Sequence, residues 1–234
     1  MTSGTCKTRP LPALSKISLG VLLTFALLPR PTLAATIESH ALNAAQVDEL
    51  IGRLARPAPS TIAFTEVRLS PLLQKPLIVS GELGYSGPAS LDRRVTQPYR
   101  ELTTIRGESV RVEREGQPVR SFALKRAPEL RGLLNGFSSL LNGDASGLRS
   151  NFGIDATLAA DGAWNITMKP LDVKAQRRVK QLDAIGHENE PHCFTLTTAD
   201  SGVSVMLLGS TSQQSIQEQA TVEQLDALCR RSGR

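Results

Sequence analysis

The sequence predicts an α+β protein built around one large antiparallel sheet. Two stretches, Ala63 to Leu124 and Trp164 to Leu208, alternate apolar and polar residues with the period of strands that bury one face. A leucine-rich helical stretch separates them, and a shorter helix is predicted before the first stretch and after the second. A sheet with one apolar face must cover that face, so we expect the helices to pack against it.

Residues 1–34 have the organisation of a secretory signal peptide. Lys7, Arg9 and Lys16 precede an apolar run from Ile17 to Leu28 that is too short to span a bilayer. Thr32-Leu33-Ala34 supplies small residues at the outer two positions of a cleavage site. We expect cleavage after Ala34, or one residue later, and export of the remaining chain. An uncleaved membrane anchor is the less favoured alternative, because prolines end the apolar run early.

Removal of that segment leaves a nearly neutral chain. The full sequence has 27 basic and 22 acidic residues, a formal charge of +5. Lys7, Arg9, Lys16 and Arg30 lie in the segment with no acid, so residues 35–234 carry 23 basic against 22 acidic residues, or +1. The basic clusters that remain are not interleaved with aromatic residues, so nucleic-acid binding is not predicted. Residues 35–234 are long enough to bury a sizeable core, and no repeat divides them, so we expect a single domain.

The first predicted helix carries an apolar face and a recognisable start. Four residues follow the spacing of one helical face: Val47, Leu50, Ile51 and Leu54. Asn43 stands at the N-cap position, and Gln46 three residues later completes a capping box. Prolines at positions 57 and 59 end the helix.

The stretch from Ala63 to Leu124 is predicted to be a meander of strands. Four apolar side chains share one face of its best-defined strand: Leu77, Val79, Leu83 and Tyr85. Residues 86–88 form a turn, and a second strand runs from Leu91 to Val95. Gln97-Pro98 breaks that run, because proline cannot donate a hydrogen bond to a neighbouring strand. Further strands follow at residues 101–105, 110–113 and 119–124.

A second predicted helix begins at Pro128 and ends at Asn142-Gly143. It carries a wide apolar stripe of six residues: Leu130, Leu133, Leu134, Phe137, Leu140 and Leu141. A stripe this broad requires a deep apolar partner, which we expect the sheet to supply.

The remaining residues are predicted to complete the sheet and add a last helix. Asp144 caps a short turn that carries Leu148 and Phe152. Strands follow at residues 164–169, 181–185, 193–198 and 203–208, with Asp200-Ser201-Gly202 as a hairpin turn. Thr221 and Gln224 form a second capping box, which starts a helix with Val222, Leu225 and Leu228 facing inward.

Two cysteines, Cys193 and Cys229, follow the signal peptide. An even count in an oxidising compartment favours a disulfide, here between a strand and the last helix, and a buried free pair is the alternative.

No catalytic motif is present, and neither a cofactor nor a metal is predicted. The sequence contains no G-x-S-x-G elbow, Walker A loop or H-E-x-x-H helix. His187 and His192 flank two glutamates in HENEPHC, but the spacing matches no metal site and Pro191 suggests a solvated hairpin loop. His40 lies near the expected mature N-terminus, where disorder is common. The sequence therefore indicates a protein that is not an enzyme, and the alternative is a hydrolase that uses His187 or His192.

Five short motifs occur in a characteristic order along the chain. They are Phe64-Thr65-Glu66, Gly81-Glu82-Leu83 leading to Pro88, Thr96-Gln97-Pro98 followed by Gly107, Leu140 to Asp144 followed by Phe152, and Trp164 to Pro170. Together, over Val47 to Leu208, they resemble the periplasmic lipoprotein carriers of the Lol system, the LolA/LolB-like family.

The resemblance implies an unclosed antiparallel β-barrel covered by helices, with a hydrophobic cavity that takes acyl chains. It implies a monomeric periplasmic carrier that shuttles lipoproteins or other lipids towards the outer membrane, between an inner-membrane donor complex and an outer-membrane acceptor. The candidate cavity residues come from the predicted sheet face and the leucine stripe: Leu77, Val79, Leu83, Tyr85, Leu91, Leu133, Leu134, Phe137, Leu140 and Leu141. The alternative is a periplasmic adaptor or sensor domain that binds a protein partner without lipid cargo.

One position departs from the family pattern. The carriers have an arginine just before the proline that follows their second strand, and this arginine is thought to hold the helical lid shut. Gly87 occupies that place here, ahead of Pro88. Arg93 or Arg94 is a possible substitute.

Overall fold

Twelve strands form one antiparallel sheet within residues 39–126, 134 and 138–231, which are the residues that the computed structural model describes. The strands are β1 (Ser39–Ala41), β2 (Ser60–Leu69), β3 (Leu77–Gly87), β4 (Ser90–Gln97), β5 (Glu101–Arg106), β6 (Ser109–Arg114), β7 (Arg120–Ala123), β8 (Phe152–Ala159), β9 (Ala163–Pro170), β10 (Val179–His187), β11 (Glu190–Thr198) and β12 (Val203–Leu208). The sheet is not closed, and its order is β1-β8-β9-β10-β11-β12-β2-β3-β4-β5-β6-β7. The prediction of an α+β fold with one large unclosed antiparallel sheet is therefore confirmed.

The two predicted sets of strands join through β12 and β2. These strands pair antiparallel from Val203 opposite Leu69 to Leu208 opposite Phe64. This pairing places the N-terminal meander beside the C-terminal strands, so that side chains distant in sequence share one face of the sheet.

The helices are short and few in the described part of the chain. They are α1 (Ala44–Arg53), α2 (Ala145–Arg149), α3 (Val173–Gln176) and α4 (Val222–Arg231), with 3-10 turns at Leu124–Arg126 and Gly209–Gln213. Residues 134 and 138–142 are also helical, as predicted, but Leu133, Phe137 and the start of that helix lie outside the described residues. The predicted signal peptide lies outside them too. No helix among the described residues is long and apolar enough to cross a membrane.

Both predicted capping boxes are present. Asn43 Oδ1 accepts a hydrogen bond from the backbone N–H of Gln46, whose side chain accepts one in return from the N–H of Asn43. Thr221 and Gln224 make the same reciprocal pair at the start of α4. These bonds satisfy two backbone N–H groups at each helix start that would otherwise lack partners.

Each face of the sheet carries its own hydrophobic core. On one face, here called the α1 face, α1 packs with Leu50 and Ile51 onto strands that include Phe64, Trp164 and Ile166. On the opposite face, the α4 face, Leu225 and Cys229 of α4 pack onto residues of β2 and β10 to β12: Val67, Ile185, Cys193, Val205 and Leu207. Cys193 and Cys229 form a disulfide with their Cα atoms 5.7 Å apart, which attaches α4 to β11.

A close approach between β3 and β4 requires glycine at position 81. A Cβ on Gly81 would lie 1.8 Å from the carbonyl oxygen of Arg94, which no side chain tolerates. The β3–β4 register shifts by one residue at this point, between Ser80 and Gly81.

The predicted strands omit two that the structure contains, and the prediction for His40 was also wrong. β1 and β8 lie outside the predicted strands, and His40 belongs to β1, where it pairs with Leu158. β1 has only three residues, all exposed, so it shows no alternation to detect. β8 does alternate apolar residues from Phe152 onward. The strand was missed because Phe152 was assigned to the preceding turn.

The loop within the HENEPHC segment is shorter than predicted. Only Glu188 and Asn189 form the turn, and Pro191 already lies in β11. His192 is a buried strand residue, so its expected place in a solvated loop was wrong. The side chain of Trp164 stabilises this tight turn, because its Nε1–H donates a hydrogen bond to the carbonyl oxygen of Glu188 at 3.0 Å.

Candidate functional site

A cavity of about 660 Å³ opens on the α1 face of the sheet. Its walls come from β2 to β5 and β10 to β12, with residues 134 and 141 of the helical segment and the loop after α1. The apolar lining consists of Ile62, Leu83, Leu91, Ile105, Leu134, Leu141, Leu182, Phe194, Leu196, Met206 and Leu208. A space of this size and lining lies within the range of small-molecule sites, roughly 300–1,000 Å³.

Five of the predicted cavity residues line this space: Leu83, Tyr85, Leu91, Leu134 and Leu141. Three others do not, because Val79 and Leu140 are fully packed in the α1-face core and Leu77 packs against its edge. Leu133 and Phe137 lie outside the described residues. A role of any of these residues in lipid binding remains a prediction.

Much of the apolar wall was not predicted, since it comes from the second half of the chain. Leu182, Phe194 and Leu196 lie on β10 and β11, and Met206 and Leu208 lie on β12. The alternation within β11 and β12 identifies which of these side chains share a face, but only the β12–β2 pairing shows that this face continues into the meander.

One end of the cavity is bordered by the loop after α1 and by the β10–β11 turn. Arg56 Nη2 donates a hydrogen bond to the carbonyl oxygen of Asn189 at 3.1 Å, and its backbone N–H donates to the carbonyl oxygen of Leu141 at 2.8 Å. The hydroxyl of Tyr85 donates to Oδ1 of Asn142. These few polar contacts connect the helical segment 138–142 to the sheet and to the loop.

Neither candidate substitute for the family arginine makes a hydrogen bond or ion pair with the described residues of that helical segment. Gly87 adopts φ 122°, a backbone conformation that favours glycine. Arg93 faces the cavity but pairs with Glu66 and Glu101 of the sheet. Arg94 is exposed and, as the next residue along β4, points to the opposite face. Among the described residues, the one hydrogen bond from an arginine to residues 138–142 is that of the Arg56 backbone N–H.

A buried carboxylate interrupts the apolar wall. Glu66 is 6% exposed and accepts hydrogen bonds from Arg68 Nε at 2.7 Å, Arg93 Nη2 at 2.5 Å and Ser204 Oγ at 2.5 Å. The Arg93 guanidinium also lies over the ring of Phe64, 4.9 Å from its centroid. Glu66, Arg93 and Ser204 all line the cavity.

The partners of Glu66 keep it ionised despite burial. Desolvation is the largest single influence and on its own raises the pKa of this carboxyl. The hydrogen bond and charge of Arg68, the charge of Arg93 and the hydrogen bond from Ser204 outweigh desolvation, so that the pKa of Glu66 falls below its usual value. The hydrogen bond to Glu66 raises the pKa of Arg68 in turn.

The histidines of the HENEPHC segment do not converge on a metal-binding geometry. Within the described residues, no group of three or more His, Cys, Asp or Glu side chains could hold a metal ion. Nε2 of His187 lies 2.7 Å from the carbonyl oxygen of Asp161. His192 borders the cavity, and desolvation lowers its pKa, although a backbone hydrogen bond at Cys229 partly opposes this effect.

Comparison with known proteins gives one family. A family model described as "Outer membrane lipoprotein carrier protein LolA-like" matches residues 39–232. None of the curated proteins matches the sequence. Among solved structures, a LolA superfamily protein from Nitrosomonas europaea is similar at 10% identity and a TM-score of 0.41, covering 78% of this chain and 96% of that protein.

Proposed function

This chain belongs to the LolA-like family of outer membrane lipoprotein carrier proteins, and on that premise we propose that it carries acyl chains of lipoproteins or lipids through the periplasm. The family consists of periplasmic carriers rather than enzymes. In this proposal, residues 1–34 direct export, and residues 35–234 form a monomeric carrier domain. The protein takes its cargo from an inner-membrane donor complex and delivers it to an acceptor at the outer membrane.

The observation that carries the proposal is the apolar cavity on the α1 face, with its wall of leucine, isoleucine, methionine and phenylalanine side chains. Each methylene group removed from water contributes about 0.8 kcal/mol. Burial of about ten methylene groups therefore supplies roughly 8 kcal/mol, which corresponds to micromolar affinity before the costs of ordering are subtracted. Such affinity is strong enough to carry a chain through water and weak enough to release it.

The contacts around the helical segment 138–142 suit a cover that opens. Leu134 and Leu141 contribute apolar surface to the cavity, while among the described residues only the hydrogen bonds of Tyr85 and Arg56 connect segment 138–142 to the sheet and to the loop after α1. Apolar contacts are not directional, so the segment can move relative to the sheet without leaving many unpaired polar groups. We propose that this movement admits and releases the acyl chain.

Native mass spectrometry of protein purified from the periplasm of its own host tests the proposal. We expect a wild-type population with added mass that fragments to acyl-containing species. Leu134→Asp places a charge in the cavity wall and should abolish that population. Leu72→Asp is the matched control, because Leu72 is 88% exposed and outside the cavity lining, and it should load as wild type. The same experiment with Phe137→Asp tests a second residue of the predicted leucine-rich stripe, and it should also abolish the loaded population.

A wild-type protein that carries no acyl material, under conditions where it remains folded and active in its host, would contradict the proposal. That result would favour the adaptor alternative, in which the domain binds a protein partner without lipid.

A further inference from the structure

Glu66 and Arg93 place an ion pair within a predominantly apolar cavity wall. The same wall contains Leu83, Phe194 and Met206, and Met206 lies directly opposite Glu66 in the β12–β2 register. Glu66 is six residues from Ser60 along β2, which is about 20 Å at the rise of an extended strand. The ion pair therefore lies far from the end of the cavity that the loop after α1 borders.

Stability alone does not explain why these positions hold an ion pair rather than apolar side chains. Burial of two charges costs several kcal/mol of desolvation, and apolar residues of similar volume usually stabilise a core as well or better. Apolar side chains fill neighbouring positions of the same face, since Val79 of β3 lies opposite Glu66, Val95 lies two residues from Arg93 on β4, and both are almost fully buried. A desolvated charge pair that faces an open cavity is more typical of a binding site than of a core.

Arg93 retains hydrogen-bonding capacity towards the cavity. A guanidinium has five N–H donors, and among the described residues Arg93 makes a single hydrogen bond, from Nη2 to Glu66. Nη1 lies 3.6 Å from Oε1 of Glu101, which is too long for a hydrogen bond. Glu66 and the Phe64 ring fix the plane of the guanidinium, so its remaining N–H groups have a defined direction.

The charge of the surroundings indicates which acceptor fits. Glu66 and Glu101 balance Arg68 and Arg93, so the cluster is neutral as a whole. A carboxylate or phosphate brought to Arg93 would also approach the buried carboxylate of Glu66 and be repelled by it. An uncharged carbonyl oxygen accepts the same hydrogen bonds without that repulsion.

We propose that Arg93, held in place by Glu66, determines which ligands the cavity accepts by donating to the ester or amide carbonyl oxygen of an acyl group. The hydrocarbon of that group lies on the leucine wall. The inference rests on the proposed function as an acyl carrier, and it adds that the cargo is recognised by its carbonyl group as well as by its chain.

Competition binding with three C16 compounds tests this inference. Methyl palmitate, hexadecyl methyl ether and palmitic acid, delivered from cyclodextrin, each displace a fluorescent acyl probe from the purified full-length mature chain. The ether lacks the carbonyl oxygen of the ester but has almost the same hydrocarbon. For Arg93→Met we expect the Kd of the ester to rise about tenfold, the value of one hydrogen bond to a charged group, while the Kd of the ether changes less than about twofold. Palmitic acid should bind the wild type no more tightly than the ester.

Arg94→Met is the matched control, since Arg94 is the neighbouring residue on the opposite face of β4 and should leave all three Kd values unchanged. Because Arg93→Met removes one partner of a buried carboxylate, the double variant Glu66→Gln/Arg93→Met is measured as well, and it should show the same selective loss for the ester.

The outcomes separate the two proposals. Equal losses for ester and ether, or no loss for either, would overturn the role of Arg93 while the acyl carrier proposal stands. Failure of every compound to displace the probe from the wild type, or failure of the probe to bind, would overturn both.

Discussion

The two faces of the sheet differ in how completely they are filled. On the α4 face, Val67, Leu207 and Leu225 are entirely buried, and the disulfide attaches α4 to the strand beneath it. On the α1 face, α1 packs equally well with Leu50 and Ile51, but beyond it the sheet faces a cavity of about 660 Å³ and a buried ion pair.

This difference indicates a division of roles between the faces. A core that is filled and covalently attached to its helix stabilises the sheet without any need for movement. A face with an unfilled cavity and buried charged groups is stabilised less, because the atoms that line the empty volume have no packing contacts on that side. Substitutions on the α4 face should therefore change stability alone, and substitutions around the cavity should change binding more than stability.

Loss of the disulfide should give the largest effect on stability. The bond closes a loop of 36 residues in sequence separation, and Cys193→Ala/Cys229→Ala should lower the free energy of unfolding by roughly 3–4 kcal/mol. Urea unfolding of the oxidised wild type and the double variant measures the difference. The folded fraction of the variant should bind acyl probes as tightly as wild type. A variant that remains folded but no longer binds would show that the faces are not independent.

Leucine truncations on the two faces should differ. Leu225→Ala removes a side chain with 0% exposure from the α4 face and should cost about 3 kcal/mol. Leu83→Ala removes a partly buried side chain that already borders the cavity, so it should cost about 1–2 kcal/mol through the lost transfer energy alone. Thermal and urea unfolding of both variants compare the costs. Equal costs would indicate that the cavity is filled in solution.

Filling the cavity should weaken acyl binding with little change in stability. Ile105→Phe extends a lining side chain into the open space and should displace two or three methylene groups of a bound chain, which lowers affinity about fifteenfold to sixtyfold. The free energy of unfolding should change by less than about 1 kcal/mol, because the added atoms enter empty volume. Val119→Phe is the control at a residue that is 49% exposed and outside this cavity. An unchanged affinity of the Ile105 variant would place the bound chain elsewhere.

Acid should remove the contribution of ionised Glu66 to the free energy of unfolding. Because the pKa of Glu66 is below its ordinary value of 4.5 in the folded protein, the ion-pair contribution is fully present above that pH and is lost as the pH falls through the lower folded value. The free energy of unfolding should therefore decline less steeply between pH 5 and pH 3 in Glu66→Gln than in wild type. Parallel declines in the two proteins would show that Glu66 does not contribute to acid sensitivity.

Local sequence patterns predicted the helix ends and most strands because their causes are local. The capping boxes at Asn43 and Thr221 depend on residues three positions apart, and strand alternation depends on residues two positions apart. The sequence therefore predicted which face of the sheet a side chain lies on, but not whether its position along the strand places it beside the cavity. Leu77 and Leu83 share a face of β3, yet only Leu83 borders the cavity.

The ion pair in the cavity wall was not predictable for the same reason. Glu66 meets Arg93 across two strand pairings and Ser204 across the β12–β2 pairing, 138 residues away in sequence. Its local partner Arg68 lies two residues along β2, but the same spacing joins Arg111 and Glu113 where both side chains are exposed, so the spacing does not indicate burial. Only the register of the assembled sheet brings these groups together.

Photo-crosslinking with an acyl chain that carries a diazirine near its end tests most directly whether the α1 face holds the cargo. The purified protein is loaded with this probe and irradiated, and the labelled peptides are identified by mass spectrometry. We expect label on cavity-lining residues of β3 to β5 and β10 to β12, such as Leu83, Ile105 and Met206. Label confined to α4 or to the exposed loop at Leu72 would contradict the assignment of the cavity as the carrier site.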